Sequence, residues 1–280
     1  MSDLVLIKGA GDLATGIAHR LHRCGFRVVM TEIEQPTVIR RTVSFAEAVY
    51  VGFNTVEGVT AQFVSDALEA ADVLKQGEIP VMTDPDAKIA LQLKPGVVVD
   101  AIMAKKNTGT RISDAPLVIG LGPGFTAGID VHAVIETKRG HNLGRVILEG
   151  CAEPNTGVPG DIDGYTSERL IKAPADGIFI PRFDIGSLVK AGEVVGFVDD
   201  HPVEAAITGV LRGLIRGGIR VTRGQKIGDI DPRSRVEYCF TISDKARAVA
   251  GGVLEAILLL GRSRLFDLLP SQIRDGYEVI

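Results

Sequence analysis

Hydrophobic and polar positions along this chain follow two periods, and the switches between them mark out the elements. Residues 4–8 (LVLIK) are apolar up to a closing lysine, and a glycine turn follows at 9–11. A short unbroken run of this kind predicts a buried strand. Leu13, Ile17, Ala18, Leu21 and Cys24 then recur at helical spacing. They predict a helix over Asp12–Arg23, with Gly25 as its C-terminal cap. Residues 27–31 read as a second strand, so one βαβ unit is complete within about thirty residues.

The pattern continues more loosely. Residues 65–76 predict a helix, with Asp66 and Glu69 early and Lys75 late, matching the helix dipole. Strands are expected at Ile79–Thr83, 97–101 and Leu117–Leu121, and a further helix over 86–93. Residues 131–137 alternate and turn at 138–140, which makes 145–149 their hairpin partner. A turn-rich stretch, EPNTGVPGDIDG, fills 153–164.

Beyond it the same glycine pattern occurs twice at an offset of 32 residues. Gly177, Gly186, Gly192 and Gly196 recur as Gly209, Gly218, Gly224 and Gly228, and Ile178, Val189 and Val198 as Val210, Val221 and Ile230. Short apolar runs between glycine turns predict two interlocking β-halves. Modules of this type usually present a lysine for biotin or lipoate, but none lies between Lys190 and Lys226. Covalent biotin or lipoate is therefore not expected, because amide attachment needs an amine. A final helix is expected over 243–260, capped by Ser243 and apolar around much of its circumference, hence buried against the first domain or in an oligomer.

The expected architecture is α/β. Residues 1–165 form a Rossmann-like, mainly parallel sheet domain with an extension. Residues 166–235 form a lipoyl/biotinyl-like β barrel-sandwich module, and 236–280 a C-terminal helical segment. Thirty-one basic against thirty-five acidic residues, a net charge of −4, disfavour nucleic acid as the main partner. The chain starts directly in a strand, the 246–260 apolar stretch contains Glu255, and three cysteines show no metal spacing. These features point to a cytoplasmic protein away from membranes.

The chemistry concentrates in Gly9-Ala10-Gly11-Asp12-Leu13-Ala14, a G-x-G-x-x-A loop between strand and helix. The glycines permit a tight turn and a close approach by a diphosphate, and Ala14 keeps helix and strand close. The helix N-terminus favours an anion. Glu32 stands 21 residues after Gly11, where an acid binds a ribose 2′-hydroxyl, so NAD is preferred over its 2′-phosphate. Against this, Asp12 could itself occupy the positive end of the helix, leaving a capped turn without nucleotide. Gly122 and Gly124, in the loop after Leu117–Leu121, are further ligand-lining candidates. Asp100 with Lys105 and Lys106 could position a small anion, or form a solvated turn. Asp130, His132 and His141 lack the further ligand a metal site needs. Cys151 is an isolated thiol without a visible base, and His201 marks the turn between the repeats.

GAGDLATG, VVVDAIMAKKNTGT, VIGLGPGFTAG, EPNTG and KAPADG together resemble the YqeB family, and the first thirty residues are similar to the Rossmann part of XdhC-type proteins. The resemblance covers nearly the whole chain. It implies an accessory role in maturing selenium-dependent molybdenum hydroxylases, with that hydroxylase or its maturation machinery as partner and a homo-oligomer as the assembly. It also implies a nucleotide or molybdopterin-type cofactor at Gly9, Gly11 and Ala14, with Glu32. XdhC-like loops often carry histidine where this chain has Asp12. An NAD-dependent oxidoreductase of a small metabolite is the alternative.

Overall fold

The computed structural model describes residues 3–157 and 159–265. Strand β1 (Leu4–Lys8) is buried along its whole length, and Gly9 turns the chain at φ +92°, backed by Ala101. Val5 and Ile7 face one core, while Leu4 and Leu6 face another. Burial on both faces explains why the run shows no polar alternation. Helix α1 (Asp12–Arg23) packs Ile17, Ala18 and Leu21 inward, and β2 (Arg27–Glu32) pairs parallel to β1.

Two 3-10 turns and α2 (Ala48–Val51) lead to an antiparallel hairpin, β3 (Phe53–Val56) and β4 (Val59–Phe63). Helix α3 (Ala67–Lys75) starts at Asp66, whose carboxylate accepts the N–H groups of Leu68 and Glu69. Strand β5 (Ile79–Thr83), α4 (Ala90–Leu93), β6 (Val97–Asp100) and β7 (Leu117–Leu121) follow. Then come β8 (Thr126–Ala127), β9 (Ala133–Ile135), β10 (Val146–Ile147) and β11 (Gly150–Cys151). Nine of these strands make one sheet, in the order β10-β9-β7-β6-β1-β2-β5-β4-β3, while β8 and β11 pair separately.

The second region contains β12 (Leu170–Lys172), β13 (Gly177–Pro181), β14 (Leu188–Val189) and β15 (Val194–Val198). It continues with β16 (His201–Glu204), β17 (Gly209–Leu214), β18 (Arg220–Val221) and β19 (Lys226–Asp231). They form two four-stranded antiparallel sheets, β12-β19-β17-β14 and β16-β15-β13-β18. The repeated halves exchange partners: β14 of the first half pairs with β17, and β18 of the second pairs with β13. Helix α5 (Asp244–Leu265) closes the described chain, and Ser243 accepts the Ala246 N–H as the expected cap. Residues 266–280 of the expected C-terminal segment lie outside the described residues.

This architecture corrects the expected Rossmann-like domain followed by a lipoyl-like barrel. The large sheet is mixed, with antiparallel hairpins at both edges. Taking all described sheets together, antiparallel pairings outnumber parallel ones. Helical cover in the connections is sparse. The expected 86–93 helix shrinks to α4, because Ala87 at φ +54° and the Asp84 carboxylate, accepting the Ile89 N–H, hold a turn before it. No helix joins β6 to β7 or β7 to β9. The unforeseen β3–β4 hairpin turns through Glu57 and Gly58, both at positive φ, in a two-residue turn whose twist suits adjacent strands. The second region is two separate four-stranded antiparallel sheets.

Helix α5 supplies the cover that the connections lack. Its Ala246, Val249, Ala250, Val253, Ala256 and Ile257 enter the same core as β1, β7 and β9. At the crossing with α1, a Cβ added to Gly16 would lie 2.8 Å from the Ala246 Cβ. A Gly16→Val variant is therefore expected to lose about 1–3 kcal/mol of stability through overpacking. Urea unfolding measures this, and an unchanged midpoint would show that the two helices are not in contact there.

Candidate functional site

From β1 the chain runs to β2 on one side, whereas β6 joins β1 from the other. Where strand order reverses, the carboxyl ends of the strands leave a crevice. Here it is a cavity of about 490 Å³, lined by the glycine loop, by Glu32 and Ile33, by Thr37 and Val38, and by Ala101–Met103, with Lys105 and Lys245. Leu13, Ile33, Val38, Ile102 and Met103 are the large apolar residues of its lining.

The loop residues divide. Gly9, Gly11, Asp12, Leu13 and Ala14 line the cavity. Ala10 does not: it is fully buried, and its carbonyl accepts from Thr15 Oγ1 and Ser44 Oγ. Gly11 has an ordinary φ of −65°, and a Cβ there would sit 3.7 Å from Val38 Cγ1. A side chain at 11 is thus compatible with the turn but projects into the cavity region beside Val38. Asp12 does reach the helix start, where Oδ1 accepts the Leu13 N–H at 2.9 Å and Oδ2 lies 3.5 Å from Arg40.

Glu32 ends β2 in the cavity wall, and its carboxylate folds back onto the backbone. Oε2 accepts the Ala10 N–H at 2.9 Å, and Oε1 accepts the Ile33 N–H at 2.8 Å. Burial pushes its carboxyl above the usual glutamate value, against the pull of those two N–H donors. Asp100 is also tied inward: Lys8 donates to Thr110 Oγ1, which donates to Asp100 Oδ2, both at 2.6 Å. It faces Lys8 rather than a solvated turn, and only Lys105 of the neighbouring lysines lines the cavity.

Lys105 and Lys245 are the two ammonium groups at the crevice. Burial pushes Lys105 below its ordinary value; burial, and then the charge of Lys105, do the same to Lys245. Both residues also line a second cavity of about 540 Å³, walled by Pro123, Lys138, Arg139 and the 153–157 loop. The two cavities meet at this lysine pair. Lys245 lies at the start of α5, far from the glycine loop in sequence, and no local motif announces it. Asp244 beside it is held well below the usual carboxylate range by the Arg139 guanidinium, which donates to both its oxygens.

Gly122 and Gly124 do not line either cavity. Gly122, at φ +69°, packs against Thr137, and a Cβ on Gly124 would lie 2.7 Å from the Lys106 backbone. They hold the loop that presents Pro123. Among the described residues no cluster of three His, Cys, Asp or Glu side chains could hold a metal. His132 Nδ1 accepts the Val118 N–H, and Asp130 accepts the Thr126 N–H. Cys151 is exposed beside Thr126 Oγ1, and His201 is exposed at the start of β16. No helix among the described residues is long and apolar enough to cross a membrane.

No protein-family model matches the chain. Over 257 residues, 92% of its length, it is 55% identical to the uncharacterized protein YqeB of Escherichia coli strain K12. It spans 48% of that relative, about half. Likeness to the YqeB family is thereby supported along almost the whole chain; the finer resemblance to XdhC-type proteins is not. Among solved structures it is similar to the Ectoine utilization protein EutE (DoeB) from Ruegeria pomeroyi, at 12% identity and TM-score 0.26, covering 82% of this chain and 85% of that one. It is also similar to an aspartoacylase family protein from Mesorhizobium loti, at 12% identity and TM-score 0.26, covering 84% and 87%. Neither score establishes a shared fold.

The buried carboxyl of Glu32 yields a pH signature. Its pKa is raised on folding, so its contribution to stability is complete below the unfolded value and is lost as pH rises through the folded value. Carboxyl ¹³C NMR should show Glu32 titrating above an ordinary glutamate, and Glu32→Gln should flatten the fall of stability in that window. A titration at or below the ordinary value would refute the buried placement.

Proposed function

We propose that this relative of YqeB is an accessory protein in the maturation of selenium-dependent molybdenum hydroxylases. In this reading it holds a phosphate-bearing cofactor, a nucleotide or a molybdopterin-type compound, in the crevice over Gly9–Ala14. One observation supports the ligand part above the others. The crevice combines apolar lining residues with two lysines, the exposed Lys105 and the half-buried Lys245, and the charge of the first acts against the second. Ligand pockets combine mostly apolar walls with a few convergent polar groups, and perturbed titrating groups cluster at functional sites. The maturation part rests on the motif likeness, with hydroxylase or maturation proteins as partners of a homo-oligomer.

Glu32 supports a second reading, an NAD-dependent oxidoreductase, because it lines the same cavity at the strand end where a ribose would lie. Its oxygens already accept two backbone N–H groups, which leaves them as acceptors for a ribose diol rather than free carboxylate ends.

Mass spectrometry of small molecules released from the purified protein, followed by titration, tests both readings. A nucleotide or pterin phosphate is expected. Gly11→Val should abolish binding while leaving the unfolding midpoint near that of the parent, since a Cβ there makes only an ordinary 3.7 Å contact with Val38. Lys105→Ala should weaken binding about tenfold, roughly 1.4 kcal/mol. Failure to bind any nucleotide or pterin at millimolar concentration, with hydroxylase activity unaffected by gene deletion, would sink the first reading. Nicotinamide fluorescence decides the second.

A further inference from the structure

A smaller cavity of about 180 Å³ lies where the first region, the repeated β region and the start of α5 meet. Asp12 and Leu13 reach it from α1, Ser243 and Lys245 from α5, and Arg40, Arg139 and Arg212 complete its wall. Four cations therefore surround a space too small for a nucleotide, against one lining carboxylate.

The surrounding groups satisfy these cations unevenly. Asp244 takes both Nη groups of Arg139, and Arg40 Nη2 donates to the carbonyls of Tyr238 and Thr241. Asp231 is held most closely by Arg233, with hydrogen bonds at 2.9 and 2.7 Å, and lies 3.5 Å from Arg212. Asp12 stands 3.5 Å from Arg40. Arg40 and Arg212 are 9% and 7% exposed, and the Nε of each is buried without a hydrogen-bond partner. Burial and the charge of Arg40 both act against the Arg212 guanidinium, while burial and Lys105 act against Lys245. Buried donors left unpaired are costly, and crowded like charges add to the cost. An anion with several acceptor oxygens answers both, and guanidinium forks suit phosphate-like geometry. The starts of α1 and α5 at the same cavity add partial positive charge.

We propose that this cavity is a binding site for one tetrahedral oxyanion, taken up either as a free ion or as the phosphoryl end of a larger molecule. It adjoins the crevice of the cofactor reading, sharing Asp12, Leu13 and Lys245, and is set apart by Arg40, Arg139 and Arg212, which line this cavity alone of the two, as Lys105 lines only the crevice. The site ties the repeated β region to the first region through charge, so its occupancy is expected to stabilise their contact.

Isothermal titration of the full chain with inorganic phosphate, sulfate and AMP tests this. Saturable binding of phosphate and sulfate, weakened about tenfold or more in both Arg212→Gln and Arg139→Gln, supports a free-ion site. Binding of AMP alone, weakened by the same variants, supports the phosphoryl end of a larger ligand. Arg139 is only half-buried and does not line the crevice, so R139Q keeps the test open if R212Q does not fold. Lys105→Met should retain phosphate binding while losing nucleotide binding in the crevice, which separates failure of this inference from failure of the cofactor reading. No saturable binding of any of the three, or binding unchanged in both variants, overturns it.

Discussion

The return of α5 onto the large sheet is the contact on which the remaining structure depends. Strands β6, β7 and β9 follow one another without connecting helices, so one face of Val97, Val99, Ile119 and Ile135 would stand open. An open apolar face of that size is unstable in water. Helix α5 covers it from more than a hundred residues downstream, and small residues allow the approach. Gly16 admits Ala246, and Gly252 sits against the Gly144 carbonyl. This same docking carries Ser243 and Lys245 to the glycine loop.

Around that contact the fold gathers positive charge where burial opposes it. Arg40 donates to the carbonyls of Tyr238 and Thr241, Arg41 donates to the carbonyl of Leu214, and Arg216 pairs with Glu47. These bonds fasten the repeated β region onto the segment after β2, with Gly213 packed against Ile39. They are satisfied and structural. The Nε groups of Arg40 and Arg212 are different: they are buried without a hydrogen-bond partner. Charge held at such a cost points to a ligand that completes it.

The glycine loop shows how nearly a local motif describes a site and where it falls short. The tight turn, the helix opening and the acid at the strand end all stand where G-x-G-x-x-A and Glu32 place them. Yet Ala10 is closed off by Glu32 itself, and Gly122 and Gly124 serve packing rather than lining. The cavity owes its polar end to residues that no loop motif contains, because an ammonium group at position 245 has no sequence signal linking it to position 11.

Helix α1, strand β1, the Ser243 cap and the recurrence of strand positions at 32 residues were legible in the chain, since each follows from local periodicity, capping or a repeated glycine turn. The pairing of those strands was not. Whether a run of apolar residues joins a parallel or an antiparallel neighbour depends on partners distant in sequence, and so the mixed sheet and the two separate β-sheets emerged only in three dimensions. The same holds for the C-terminal helix. Its apolar circumference announced that it would be buried, but shape and small-residue contacts at Gly16 and Gly252 decided which surface it covers and which charges it brings together. Sequence alone determined the local elements; long-range packing decided the sheet and the site.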